Sequence, residues 1–149
     1  MGAGADVITY TQAGMEDIPV IFHQCKALID SYEDVSNIHY EKVLQWVWQK
    51  IEDNISQYTK LLCQGETVGY YRLHIQDGEA ELDDFYILAP YRGLGIGTTV
   101  LNRCIAETKV PVFLYVFQKN LGAIRFYSRF GFEPVENVGK TRAILRRSG

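Results

Sequence analysis

Three glycines at alternate positions, Gly93, Gly95 and Gly97, follow the run Phe85-Tyr-Ile-Leu-Ala-Pro-Tyr-Arg92 and open a segment with helical spacing. An extended run, a turn and a helix start leave a row of backbone N–H groups without internal partners. The helix dipole adds about half a positive charge at the same place. Such a turn suits a phosphate, bound by backbone rather than by side chains. Two common phosphate motifs do not fit. A P-loop needs Gly-Lys-Ser or Gly-Lys-Thr, and here Gly97 is followed directly by Thr98. A dinucleotide fingerprint spaces its glycines differently and sits in the first strand–helix unit, whereas this turn lies late in the chain. A purely structural tight turn is the remaining alternative. Other side chains with chemical potential stand nearby in sequence: the acids Glu81, Asp83 and Asp84 just before the turn, and Asn120 and Tyr127 after it.

The elements that must position these residues follow from periodicity and turn chemistry. Asp6 to Tyr10 is a short β-prone start. Ile18, Phe22, Cys25 and Ile29 give helical spacing over Met15 to Ile29, with a break at the polar stretch Asp30 to Asn37. Val43, Trp46, Val47, Lys50 and Ile51 mark the inner face of a second helix, Tyr40 to Asp53. Strands follow at Tyr58–Cys63, Val68–Ile75 and Glu81–Leu88, with turns at Gln64-Gly65-Glu66 and Gln76-Asp77-Gly78. Gly97 to Thr108 is a helix, Val112 to Phe117 a buried strand, and Asn120 to Phe130 a helix with Gly131 placed for its C-terminal cap. Phe132–Val135 and Thr141–Arg146 close the chain as strands. The order predicts a mixed α/β fold with a strand–helix–strand crossover at the glycine turn.

The 149 residues suggest a single domain, 1–149, with a substantial core. A net charge of −3 weighs against a general nucleic-acid binder, so no nucleic-acid partner is expected. The longest strongly apolar run, Val110 to Phe117, is too short to span a bilayer, so no membrane association is expected. Met1 to Asp6 shows no secretory pattern, and Asp6 stands where a myristoylation signal wants Ser or Thr. Cys25, Cys63 and Cys104 are odd in number and far apart, which reads as reduced thiols of a cytoplasmic protein. His23, His39 and His74 have no metal-like spacing, and no metal is expected.

Arg92-Gly-Leu-Gly95-Ile-Gly97 closely resembles the acetyl-CoA signature of the GNAT superfamily of N-acetyltransferases: Gln or Arg, two residues, Gly, one residue, then Gly or Ala. Phe117 to Phe132 also resembles that family, with Asn120, then Tyr127 seven positions on, then Gly131-Phe132. The order of elements matches over nearly the whole chain. One departure is Ala89, where the family often has Pro; Pro90 comes one residue later. The resemblance implies a mostly antiparallel twisted sheet, splayed between its fourth and fifth strands and flanked by about four helices. It also implies acetyl-CoA as co-substrate and direct acetyl transfer to a primary amine in a ternary complex.

By that resemblance, the N–H groups of Gly93, Leu94, Gly95, Ile96, Gly97 and Thr98 would hold the CoA pyrophosphate. Arg92 would add charge, or be a solvated turn residue. The pantetheine arm would lie beside Phe85, Tyr86 and Ile87 as an added strand does, and the Ile87 N–H would polarise the thioester carbonyl. Tyr127 would protonate the departing sulfur, the alternative being a core aromatic. Asn120 would bind the arm, cap its helix, or both. The family's base six residues before the Ile87 position falls on Glu81; the alternative base position is Tyr115 here and is therefore vacant. Strand alternation is expected to place Glu81 and Asp83 on one face and Asp84 on the other. One of Trp46 and Trp48, on opposite sides of their helix, is expected in the core, while the other could line an acceptor pocket. The acceptor region would be about Phe22 to Val47, whose Asp30, Tyr32, Glu33 and Asp34 hint at a small cationic amine. A CoA-binding regulatory module with little catalysis is the alternative. Homodimers are common in the family, so a homodimer stays open.

Overall fold

Burial and turn chemistry decide where each element starts and stops. The computed structural model describes residues 7–148, so the expectations on Met1 to Asp6 lie outside the described residues. The strands are β1 (Thr9–Gln12), β2 (Tyr58–Cys63), β3 (Glu66–Gln76), β4 (Glu79–Ile87), β5 (Val112–Phe117), β6 (Glu133–Val138) and β7 (Arg142–Arg147). The helices are α1 (Ile18–Tyr32), α2 (Tyr40–Asp53), α3 (Ile96–Glu107) and α4 (Leu121–Ser128). One sheet runs β1-β2-β3-β4-β5-β7-β6, antiparallel except for β4–β5.

Helix α1 carries Pro near its start, where a missing N–H costs nothing, and buries Ile18, Ile21, Cys25 and Ile29. It continues past the expected break to Tyr32. Asp30 does not stop it because that residue lies on the solvent face. There Asp30 pairs with Lys26 one turn earlier at 2.8 Å and accepts from the Tyr40 hydroxyl at 2.6 Å. The two hairpins use left-handed pairs, Gln64-Gly65 and Asp77-Gly78, all with φ between 53° and 80°.

Helices cover both sheet faces. On one side α1 and α2 pack Ile21, Ile29 and Ile51 over Tyr58 and Tyr70. On the other, Leu101 of α3 and the aromatic face of α4 pack over Leu114 and Leu145, and Ile96 and Val100 over Leu61 and Val68. Strand β4 serves both faces because it changes parity. Arg72 of β3 pairs with Asp83, but Tyr70 pairs with Tyr86, so Tyr71 alone faces two residues of β4. That is a β-bulge, and Asp84 takes a left-handed φ of 49° within it. The bulge lets Phe85 and Ile87 join the α3 side while Tyr86 joins the α1 side.

Asp17 fastens the start of α1 to the sheet. It is 5% exposed and accepts from Gly14 N–H at 2.9 Å and from the Tyr70 hydroxyl at 2.6 Å, with Lys60 Nζ at 3.1 Å. Burial pushes its pKa up, but these three donors outweigh burial and hold it below the ordinary carboxylate value. A depressed native pKa adds stability above the unfolded pKa and loses it as pH falls through the native one. Asp17→Asn is expected to cost about 3 kcal/mol at neutral pH in denaturant unfolding, with the difference from wild type shrinking in acid.

Candidate functional site

Strands β4 and β5 are paired only at Ala80–Val112 and Glu81–Phe113. Beyond that point β5 stays on β7, and the rest of β4 has a neighbour on the β3 side alone. The wedge between them opens into a cavity of about 680 Å³. Leu82 to Tyr86 line one wall and Leu114 to Phe117 the other. Asn120, Ala123 and Tyr127 of α4 approach from one sheet face, and Trp46 and Lys50 of α2 from the other.

The sheet ladder determines what the wedge presents. Leu88 N–H donates to Val68 O at 2.8 Å. Antiparallel pairs alternate, so the next pair, Gly69 with Ile87, is not hydrogen-bonded, and Ile87 turns its N–H and C=O away from β3. Arg92 Nε takes that carbonyl at 2.7 Å, and its Nη2 lies 3.4 Å from Gln24 of α1. The Arg92 side chain thus staples the end of β4, a role the sequence did not suggest. The Ile87 N–H is left facing the wedge. Gly69 makes this packing possible: a Cβ there would stand 2.2 Å from Tyr86 O.

The glycine turn follows. Gly93 and Gly95 adopt φ of 78° and 82°, and Gly95 caps α3. The first N–H of this stretch with an acceptor is Thr99, bonded to Gly95 O at 3.1 Å. Among the described residues nothing accepts from the N–H groups of Gly93 through Thr98. Open space surrounds Gly93, where no heavy atom would meet an added Cβ within 4 Å. These donors, the left-handed glycines and the adjoining wedge fit a pyrophosphate with an extended arm. Ile96 points its side chain into the core at 1% exposure, so only its backbone is available. Gly97 has no left-handed φ. An added Cβ there would stand 3.4 Å from Phe126 of α4, an ordinary van der Waals contact, so neither φ nor space demands glycine at this position.

Asn120 is the N-cap of α4, its Oδ1 accepting from Ala123 N–H at 3.2 Å, and it also lines the cavity. Tyr127 reaches the cavity from the same helix, packed against Phe126 and Phe132 at ring separations of 5.3 and 5.6 Å. Burial pushes its phenol pKa well up, so the hydroxyl keeps its proton.

The acids form a second group on the α2 side. The bulge overturns the expected alternation: Asp83 and Asp84 both reach Lys50. Lys50 donates to Asp83, and its Nζ lies 3.6 Å from Asp84. Arg72 adds a contact to Asp83 at 3.4 Å. Tyr58 donates to Asp84 at 2.6 Å, and the Tyr86 hydroxyl and Cys25 thiol lie 3.1 and 3.4 Å from its other oxygen. Burial lowers the Lys50 pKa, but the charges of Asp84 and Asp83 outweigh it and raise it overall, so Lys50 stays cationic. Burial and then Asp84 raise the Cys25 thiol well above its usual value, which keeps it a packed thiol rather than a nucleophile. Glu81 lies outside this network. Among the described residues it has no ion pair or hydrogen bond, and burial followed by repulsion from Asp83 raises its pKa. Of the two tryptophans, Trp48 packs edge-on against Phe22 at 5.2 Å, while Trp46 stays exposed at the cavity.

The sequence profile of the Acetyltransferase (GNAT) family matches residues 23–132. The chain belongs to this family. An uncharacterised N-acetyltransferase of Methanocaldococcus jannaschii is 30% identical over 136 residues, covering 78% of this chain and 58% of that protein. A spermine/spermidine N(1)-acetyltransferase of Bacillus subtilis is 31% identical over 86 residues, 49% of this chain and 57% of that protein. This chain thus spans under two thirds of either relative. The crystal structure of the PaiA N-acetyltransferase of Thermoplasma acidophilum in complex with coenzyme A has the same fold, with a TM-score of 0.71 at 18% identity over 96% of this chain and 99% of that one. A GNAT-family acetyltransferase of Streptococcus agalactiae superposes with a TM-score of 0.75 at 13% identity, covering 97% of each chain.

Lys50 offsets two largely buried carboxylates at once. Lys50→Met is expected to lower stability by about 2 kcal/mol in denaturant unfolding, since removing one partner strands the others. Lys50→Arg should recover most of that loss.

Proposed function

We propose that the chain is an N-acetyltransferase that moves an acetyl group from acetyl-CoA to the primary amine of a small acceptor, by direct attack in a ternary complex. One observation carries this reading: a single cavity joins a protonated phenol, Tyr127, to an unpaired carboxylate, Glu81, beside the β4 edge at whose end the Ile87 N–H points away from β3. Membership of the family supports acetyl-CoA as the donor, and the spermine/spermidine relative supports a small amine.

Bound in the wedge, the thioester supplies an electrophilic carbonyl and a thiolate leaving group. The residues of this chain do the rest. The N–H groups of Gly93 to Thr98 hold the pyrophosphate, and the exposed edge of β4 at Phe85, Tyr86 and Ile87 aligns the pantetheine amides. Asn120 borders the same arm. Glu81 takes a proton from the acceptor ammonium; its raised pKa makes the carboxylate a better base than an exposed one. The freed nitrogen lone pair attacks the carbonyl carbon while the Ile87 N–H stabilises the oxygen's developing charge. As the C–S bond breaks, the acylated nitrogen loses its second proton to solvent, and Tyr127 donates its proton to the sulfur and is reprotonated from solvent. Glu81 releases its proton to solvent, so acetylamide, CoA thiol and one net proton leave.

Tyr127→Phe preserves the ring that packs on Phe126 and Phe132 and is expected to reduce kcat about 100-fold. Unchanged kcat, in a thiol-release assay across a panel of amines, would remove Tyr127 from the mechanism. Tight CoA binding without turnover of any amine would instead favour a binding module.

Glu81 must be ionised to act, so kcat/KM should fall as pH drops through its raised pKa. Glu81→Gln should lose that acid limb and about 100-fold in rate. An acid limb that survives the substitution would assign the base elsewhere.

A further inference from the structure

Among the described residues only two aromatic side chains stay largely exposed: Trp46 at 62% and Tyr115 at 47%. Both line the same cavity, Trp46 from α2 and Tyr115 from β5 across the wedge. Large exposed aromatics gathered at one opening mark a recognition surface rather than chance exposure. What they recognise is restricted by charge. Three carboxylates line the cavity, and Lys50 and Arg72 ion-pair with Asp83 and Asp84. Glu81 is therefore the one cavity carboxylate among the described residues with no cation within ion-pair distance. One negative charge suits one ammonium.

Beyond Glu81 no other unpaired carboxylate among the described residues lines the cavity. Arg142 lines the cavity and pairs with Phe117 across the β5–β7 ladder, one alternate position along from Tyr115 and so on the same face. Its guanidinium lies over the Phe117 ring at 5.3 Å, with Glu33 only at 4.0 Å. A second ammonium on a long acceptor would find Arg142, itself 4.0 Å from Glu33, and no further unpaired carboxylate among the described residues lining the cavity.

We infer that the acceptor subsite is built for a monoamine carrying an aromatic body, its ammonium at Glu81 and its ring between Trp46 and Tyr115, and that it discriminates against polyamines. This rests on the acetyl-transfer reading above. The acidic residues Asp30, Glu33 and Asp34, expected from sequence to attract a cation, do not line this cavity.

The test compares 2-phenylethylamine with ethanolamine, spermidine and a short Met-initiated peptide, in the presence of acetyl-CoA. 2-Phenylethylamine should exceed each of the others in kcat/KM by about tenfold or more, the scale of burying one aromatic ring. Trp46→Ala and Tyr115→Ala should each collapse its advantage over ethanolamine, the loss falling on KM rather than kcat, and Trp46→Phe should recover most of it. Binding is read separately on the CoA complex. 2-Phenylethylamine should quench the emission of Trp46 and leave that of Trp48, the other of the two tryptophans, so Trp46→Phe should abolish the quench. Preference for spermidine or the peptide, or equal loss for ethanolamine and 2-phenylethylamine in Trp46→Ala, would overturn the inference and leave acetyl transfer standing. Quenching without turnover of any amine would do the reverse: the subsite would stand and the acetyl-transfer reading would fall.

Discussion

The structure turns on a strand that is paired on both sides for part of its length and on one side for the rest. Once β5 leaves β4 after Glu81–Phe113, every second backbone group of β4 faces space instead of a neighbouring strand. Unpaired N–H and C=O groups at an inner strand are costly unless something satisfies them. The fold answers in two ways. Arg92 folds back to donate to the Ile87 carbonyl, and the rest of the free edge opens onto the cavity. Under the function proposed above, a pantetheine arm, which carries amides of its own, would pair with this free edge.

The bulge at Asp84 is the second half of the arrangement. An unbroken β4 would send Asp83 and Asp84 to opposite faces. The extra residue puts both against Lys50 and turns Phe85 and Ile87 to the α3 core and Tyr86 to the α1 core. The left-handed backbone of a non-glycine residue costs about 1 kcal/mol or more. It is offset by the hydrogen bond from Tyr58 and the contacts of Tyr86, Cys25 and Lys50 with that one carboxylate. The polar cluster thus fixes the path of the strand whose end forms the site.

The glycine turn was legible in the sequence because it is made of backbone. A site built from N–H groups needs glycines where a side chain would obstruct or where φ must be positive, and Gly93 and Gly95 are such positions. The hairpins were legible for the same reason. Other features were hidden. The bulge rests on Asp84, a residue type that tolerates the left-handed region without announcing it. Gly69 looks like an ordinary weak point in a strand, and its purpose appears only when Tyr86 O is found where a Cβ would sit. Arg92 reads in sequence as a phosphate ligand or a solvated turn residue, and its bond to the Ile87 carbonyl was not legible there. Helix α1 outran its expected end because a polar stretch on a solvent face is compatible with a helix, and periodicity alone does not say which face is wet.

The rest of the cavity was hidden for a more general reason. Its walls come from α2, β4, β5 and β7, segments brought together only by the fold, and it uses residue types that are common in any core. Trp46 and Trp48 show the difficulty. Two positions apart on one helix, they point about 200° apart, so the sequence requires one to be buried and the other not, without saying which. Burial settles it: Trp48 meets Phe22 beneath α2, and Trp46 is left at the opening. The charge pattern has the same character. Three acids in four residues of β4 suggest a strongly anionic pocket, yet Lys50 and Arg72 arrive from other elements to offset two of them. The charge left uncompensated in the wedge is that of the carboxylate those cations leave over, Glu81.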